Sequence, residues 1–132
     1  MKLEDDNYCF VCGKDNPIGL KLIFKIDRES RTIKTEFIPS KLYQGYKDIV
    51  HGGIISTILD EAMVKLAIGL GMNVVTVDMD MRFKKPLLVG EKITVSATIH
   101  KEVKRIIETK ARVVKDDGTI VAEGEARLMR VE

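Results

Sequence analysis

The chain has 132 residues, 45% of them apolar and 32% charged, which is the size and composition of one folded domain with one core. Its formal net charge of +2, from 22 basic and 20 acidic residues, excludes a polyelectrolyte built for nucleic acid. The polar start Lys2-Leu3-Glu4-Asp5-Asp6 lacks the apolar stretch of a secretory signal, and no run is apolar and long enough to span a bilayer. The expected location is therefore cytoplasmic, with no membrane or nucleic-acid partner.

Cys9 and Cys12 stand as C-x-x-C before Gly13. That spacing suits half of a zinc site or a redox dithiol. The only histidines, His51 and His100, are not paired at finger spacing, and a thioredoxin-like dithiol would open a helix after a strand. The bland alternative is a pair of reduced thiols in a segment, residues 1–20, that packs on the domain. The expectation is no metal.

Asn16-Pro17-Ile18-Gly19 is a turn signal, and Leu20 to Ile26 reads as a strand. A polar connection, Asp27 to Arg31, leads to a second strand over Thr32 to Ile38, with Ile33, Thr35 and Phe37 on one side. Together they predict an opening hairpin. Pro39 to Asp48 is a loop. From Gly52 to about Leu70 the period changes to 3.6 residues, with Ile54, Ile55, Ile58, Leu59, Ala62, Met63 and Leu66 forming one apolar stripe.

Four strands follow. Val74 to Phe83 alternates, which places Val75, Val77, Met79, Met81 and Phe83 on one face and Thr76, Asp78, Asp80 and Arg82 on the other. Lys92 to Lys101 carries Ile93, Val95, Ala97 and Ile99 on one face. Ile106 to Val114 is the next, Asp117-Gly118 is a hairpin turn, and Ile120 to Arg130 closes the chain. Two strands, one long helix and four strands make an α+β domain, residues 1–132. Its uncovered sheet edges predict self-association.

Val50-His51-Gly52-Gly53 sits where the loop meets the helix. Adjacent glycines cost helix stability, about 1 kcal/mol each relative to Ala. They also let a ligand approach the free N–H groups of a helix amino terminus, where an oxyanion is stabilised. The alternative is a simple chain turn, with His51 as a capping or packing residue. Asp60 lies on a nearby face of the helix with no cation one turn away, since Ser56 and Val64 are its i−4 and i+4 neighbours. A carboxylate at the border of an apolar stripe tends to a raised pKa and to base or nucleophile chemistry. Glu61, with Lys65 at i+4, is expected to form a solvent-exposed helix pair.

The stretch Tyr43 to Met63, YQGYKDIVHGGIISTILDEAM, resembles the signature of the PaaI-like hotdog-fold acyl-CoA thioesterases. Residues Cys9 to Leu20, CFVCGKDNPIGL, are similar to the branch of that superfamily with an amino-terminal CxxCGxxNPxGL segment. Val75 to Pro86, followed by Gly90, is similar to the family's central strand and turn. The resemblance implies a hotdog fold, one long helix wrapped by an antiparallel sheet of about six strands. It also implies a homodimer or homotetramer, with each site at the dimer interface.

By the same resemblance, Gly52 donates its N–H to the thioester carbonyl, Asp60 is general base or nucleophile, and Thr76 places carboxylate and water. His51 orients the turn. Gly53, Gln44, Tyr46, Arg82, Lys84 and Lys85 are candidates for substrate binding, the three basic residues toward the coenzyme A phosphates. Lys101, Lys104 and Arg105 are an alternative phosphate cluster, and Tyr43, Tyr46 and Met72 are candidates for the acyl pocket. Several members carry an Asn six residues before the His, where this chain has Gly45 beside Gln44. The implied reaction hydrolyses acyl-CoA to acid and coenzyme A with no cofactor. A non-catalytic acyl-CoA sensor, a hydratase on the same fold and a small metal or redox protein are the competing readings.

Overall fold

The computed structural model describes residues 2–131. Among them lie six strands, β1 (Lys25–Asp27), β2 (Thr32–Phe37), β3 (Val74–Phe83), β4 (Ile93–Val103), β5 (Ile106–Lys115) and β6 (Ile120–Arg130). One α-helix, α1 (Gly52–Gly69), separates β2 from β3. The strands form one antiparallel sheet in the order β1-β2-β4-β5-β6-β3, and α1 packs across it, which is the hotdog arrangement.

Helix α1 buries Ile55, Ile58, Leu59, Ala62, Met63, Leu66 and Ala67 against the sheet. Opposite them, alternating residues of the strands supply Ile33, Ile93, Val95, Ile107, Val113, Val121 and Leu128, all nearly inaccessible. Burying each large aliphatic side chain stabilises the fold by about 1.5–3 kcal/mol, so this seam holds the helix in register. The predicted turn Asp117-Gly118 joins β5 to β6, with Gly118 at φ +89° and Asp117 Oδ1 accepting the Thr119 N–H.

The first strand is shorter than Leu20 to Ile26 predicted. Only Lys25–Asp27 pairs with β2. Leu20 and Leu22 instead donate their N–H groups to the carbonyls of Phe10 and Val11, and Lys21, at φ +54°, breaks the extended run between them. Leu20 and Leu22 thus bury themselves against the amino-terminal segment, while Ile23 stays exposed.

The alternation in β3 is also phase-shifted. Thr76 pairs with Leu128 and Asp78 with Arg127, so Val77 is an extra, bulged residue. Before the bulge Val74 and Thr76 face the helix; after it Met81 packs on the core at Gly124, on the side where Leu59 also lies, and Phe83 lies against Gly52. Val75 and Val77 therefore do not share a face with Met81 and Phe83, contrary to the alternation, and Thr76 points inward. Asp78 turns outward and pairs with Arg127.

Candidate functional site

His51 is the N-cap of α1, extended at φ −61° and ψ 130°. Its Nδ1 accepts the Gly53 N–H at 2.8 Å, and its carbonyl accepts from Ile54 at 3.0 Å. The side chain is thus committed to capping. The Gly52 N–H, first of the helix, has no acceptor among the described residues. A half-buried, unpaired donor at the positive end of an 18-residue helix is a ready place for a partial negative charge.

Above Gly52 lies the ring of Phe83; a Cβ built at Gly52 would stand 3.4 Å from Phe83 Cε1. A groove of about 300 Å³ opens here, lined by Gly52, Ile55, Phe83, Pro86, Leu87 and, with two lysines, Lys84 and Lys85. Its walls are mostly apolar and its charges are cationic. A larger hollow of about 480 Å³ lies on the outer face of the sheet among Asp80, Arg82, Lys110, Arg112 and Glu123, and it contains neither Gly52 nor Asp60.

Asp60 is half-buried on α1, and Thr76 Oγ1 donates to its Oδ1 at 2.7 Å. Burial pushes the Asp60 carboxyl above the usual carboxylate range; the Thr76 hydrogen bond pulls it partly back, and the neighbouring Glu61 charge adds to the rise. A carboxylate held by one hydroxyl donor and raised by desolvation is poised as a base. Thr76 reaches it only because the Val77 bulge turns that part of β3 toward the helix.

The structure joins Asp60 with Thr76, and Gly52 with Lys84 and Lys85, as two separate groups. Eight residues of helix divide them, about 12 Å at 1.5 Å per residue. Gly53 is spent on His51. Gln44 Oε1 accepts the Asp48 N–H and braces the loop, and Tyr46 stands 87% exposed at its tip. Arg82 faces the outer hollow, and Lys84 also pairs with Glu123 at 2.6 Å. Tyr43 packs on Phe37, ring centroids 5.8 Å apart, and Met72 lies beside Arg130. Arg105 bonds the Arg130 carbonyl at the far end of β6.

One expectation fails. Glu61 and Lys65 do not pair on an exposed helix face; both are half-buried beneath the amino-terminal segment. The Cys9 thiol donates to Glu61 Oε2 at 3.2 Å, and Lys65 Nζ donates to Cys12 Sγ at 3.3 Å. Burial and the Glu61 charge push the Cys12 thiol up to about 12. Helix spacing cannot reveal a partner contributed by a segment fifty residues earlier, so this cluster was invisible in the i+4 pattern.

The sequence profile of the thioesterase superfamily matches residues 47–122, which hold α1, β3, β4 and β5. The chain belongs to the thioesterase superfamily. An uncharacterised protein of Schizosaccharomyces pombe is 33% identical over 91 residues, 64% of this chain and 50% of that protein. A solved thioesterase superfamily protein superposes with a TM-score of 0.87 at 20% identity, covering 95% of this chain and 61% of the other. The chain thus spans about half to three-fifths of the length of those two relatives. The PaaI protein of E. coli shares the fold with a TM-score of 0.79 at 17% identity, covering 86% and 81% of the two chains. So does a hypothetical thioesterase of Streptococcus pneumoniae, solved with coenzyme A, with a TM-score of 0.76 at 14% identity over 83% and 86%. Among the described residues no helix is long and apolar enough to cross a membrane.

Proposed function

We propose that this chain hydrolyses acyl-CoA thioesters at a site shared by two copies. The observation that carries the reading is the unpaired Gly52 N–H at the start of the helix that also holds the Thr76-bonded Asp60. An oxyanion donor and a base are both present, yet about 12 Å of rigid helix keeps them from one carbonyl within a single chain. A second copy supplies the missing half. The exposed edge strand β3, with Val77, Met79 and Phe83 open to solvent, is the surface for it, and pairing there would bring the Gly52 turn of one copy to Asp60 and Thr76 of the other.

In the proposed reaction the Gly52 N–H polarises the thioester carbonyl. Asp60 takes a proton from water, and the new C–O bond forms as negative charge moves onto the carbonyl oxygen. The oxyanion collapses, the C–S bond breaks, and the proton on Asp60 neutralises the leaving thiolate. Direct attack by Asp60, with an anhydride intermediate, uses the same groups. Thr76 keeps the carboxylate aimed and His51 fixes the turn. The apolar groove beside Gly52 suits an acyl chain or pantetheine arm, and Lys84 and Lys85 suit phosphate; Arg82, facing the outer hollow, is placed for phosphate only at a distance. The coenzyme A in the structurally similar Streptococcus pneumoniae protein supports this substrate class.

The test follows thiol release from a panel of acyl-CoAs. Gly52→Pro removes the proposed donor while keeping a residue tolerated at the first helical position, and His51 already has the extended conformation that precedes proline. The expected loss in kcat is about 10²–10³-fold. Binding of acyl-CoA with no thiol release by the wild type would make the domain a sensor; neither binding nor release would end the proposal.

A further inference from the structure

The thioesterase reading leaves the Cys9-Cys12 segment without a role, although it is the most constrained part of the amino-terminal region. Gly13 closes the turn by donating to the Cys9 carbonyl at 2.8 Å. A Cβ there would stand 2.4 Å from the Cys9 nitrogen and 2.6 Å from the Asn7 oxygen, both backbone atoms, so only glycine fits. This knuckle aims both sulfurs at α1. There Glu61 brings a carboxylate, and the ligating atoms of Cys9, Cys12 and Glu61 all lie within 4.8 Å of one another.

We propose that Cys9, Cys12 and Glu61 form a binding site for a thiophilic divalent cation of the zinc class, which pins the amino-terminal segment to α1 one residue from Asp60. Tetrahedral zinc with bonds of about 2.0–2.3 Å separates its ligand atoms by roughly 3.5–3.8 Å. The 3.2 Å approach of Cys9 Sγ to Glu61 Oε2 therefore needs only a small spread once the shared proton leaves. On binding, each thiol gives up its proton to solvent, two metal–sulfur bonds and one metal–oxygen bond form, and the fourth position remains for water.

Charge fits the same reading. Two thiolates and a carboxylate carry three negative charges; a dication and the Lys65 ammonium carry three positive. Lys65 Nζ, 3.3 Å from Cys12 Sγ, is placed to donate to the metal-bound sulfur and complete the neutral cluster. Glu61 is what the metal reading uses directly: a third donor close to both sulfurs, beyond the two that the cysteines supply. The sequence shows two donors and no histidine at finger spacing; the third donor comes from the helix.

The experiment uses the full chain, reduced, stripped with chelator and titrated with Zn2+ or Co2+. The expected result is one ion per chain, a thiolate-to-cobalt charge-transfer absorption in the near ultraviolet, and metal protection of both cysteines from a thiol reagent. Cys9→Ser with Cys12→Ser should abolish all three, and Glu61→Gln should weaken binding sharply. Lys65→Met should weaken it by roughly tenfold or more, as loss of an outer partner does. Circular dichroism identifies any variant that fails to fold, and thiol protection in the folded wild type stands without the variants. No retained metal in the reduced wild type, or binding unchanged in both the double-cysteine and Glu61→Gln variants, overturns the proposal. So does a ready disulfide in a chain that never binds metal. None of these readouts depends on thioester hydrolysis.

Discussion

At Asp60, burial and the neighbouring Glu61 hold the carboxyl above its ordinary range against the pull of Thr76. The folded chain therefore binds a proton there more tightly than the unfolded chain. Stability contributed by this group is greatest below the unfolded pKa and falls as pH rises through the folded one. Above that window Asp60 is a net cost. Asp60→Asn, which keeps an oxygen to accept the Thr76 hydroxyl, should raise the melting temperature at neutral pH while lowering kcat roughly a hundredfold or more. Parallel thermal melts and initial rates check both halves; a variant less stable at neutral pH would contradict the burial account.

The acidic limb of the rate profile should reflect the same carboxyl. Activity is expected to rise as Asp60 ionises, at a pH above that of a free carboxylate. Thr76→Val removes the bond that lowers the Asp60 pKa, so the limb should move to higher pH and kcat should drop by roughly 10–100-fold, matching loss of a hydrogen bond to a charged group. A pH–rate series on both proteins measures this. An unshifted limb would separate Thr76 from the ionisation of Asp60.

At the scale of elements, the amino terminus of α1 combines two opposed demands. His51 caps Gly53 and leaves Gly52 free. His51→Ala should cost about 1 kcal/mol of stability, as lost caps do, and loosen the turn that aims the Gly52 N–H. Chemical denaturation measures the first effect. The helix itself was legible because its apolar stripe has one clear period, and β2, β4, β5 and β6 were legible because each alternates between a buried and a solvated face.

The elements misread from the pattern share a cause, which is a local backbone event that leaves composition unchanged. A single residue at positive φ, Lys21, turns what reads as a strand into a path under the amino-terminal knuckle. One extra residue, Val77, reverses the face presented by Thr76. Periodicity alone would have placed Thr76 away from the helix; the family resemblance singled it out. Glu61 was assigned to the surface because its own helix offers Lys65, and nothing local reveals Cys9 above it.

At the scale of the whole molecule, the sheet leaves β1 and β3 at its edges, and β3 is the long one. If two copies share each site, two crippled chains can restore one another. Mixing Gly52→Pro with Asp60→Asn chains should produce hybrid dimers in which one site carries both defects and the other carries neither. With random exchange the mixture should recover about a quarter of wild-type activity, since half the dimers are hybrids with one sound site of two. Rates after subunit exchange test it, and no recovery would place both groups in one chain's site.

The length of α1 between Gly52 and Asp60 has a consequence for how such an enzyme is measured. A monomer would hold a complete core and two unmatched halves of active sites, folded yet silent. Specific activity should then depend on enzyme concentration, falling on dilution below the dimer dissociation constant while the circular dichroism spectrum stays the same. Abundance would act as a control on catalysis, with no effector required.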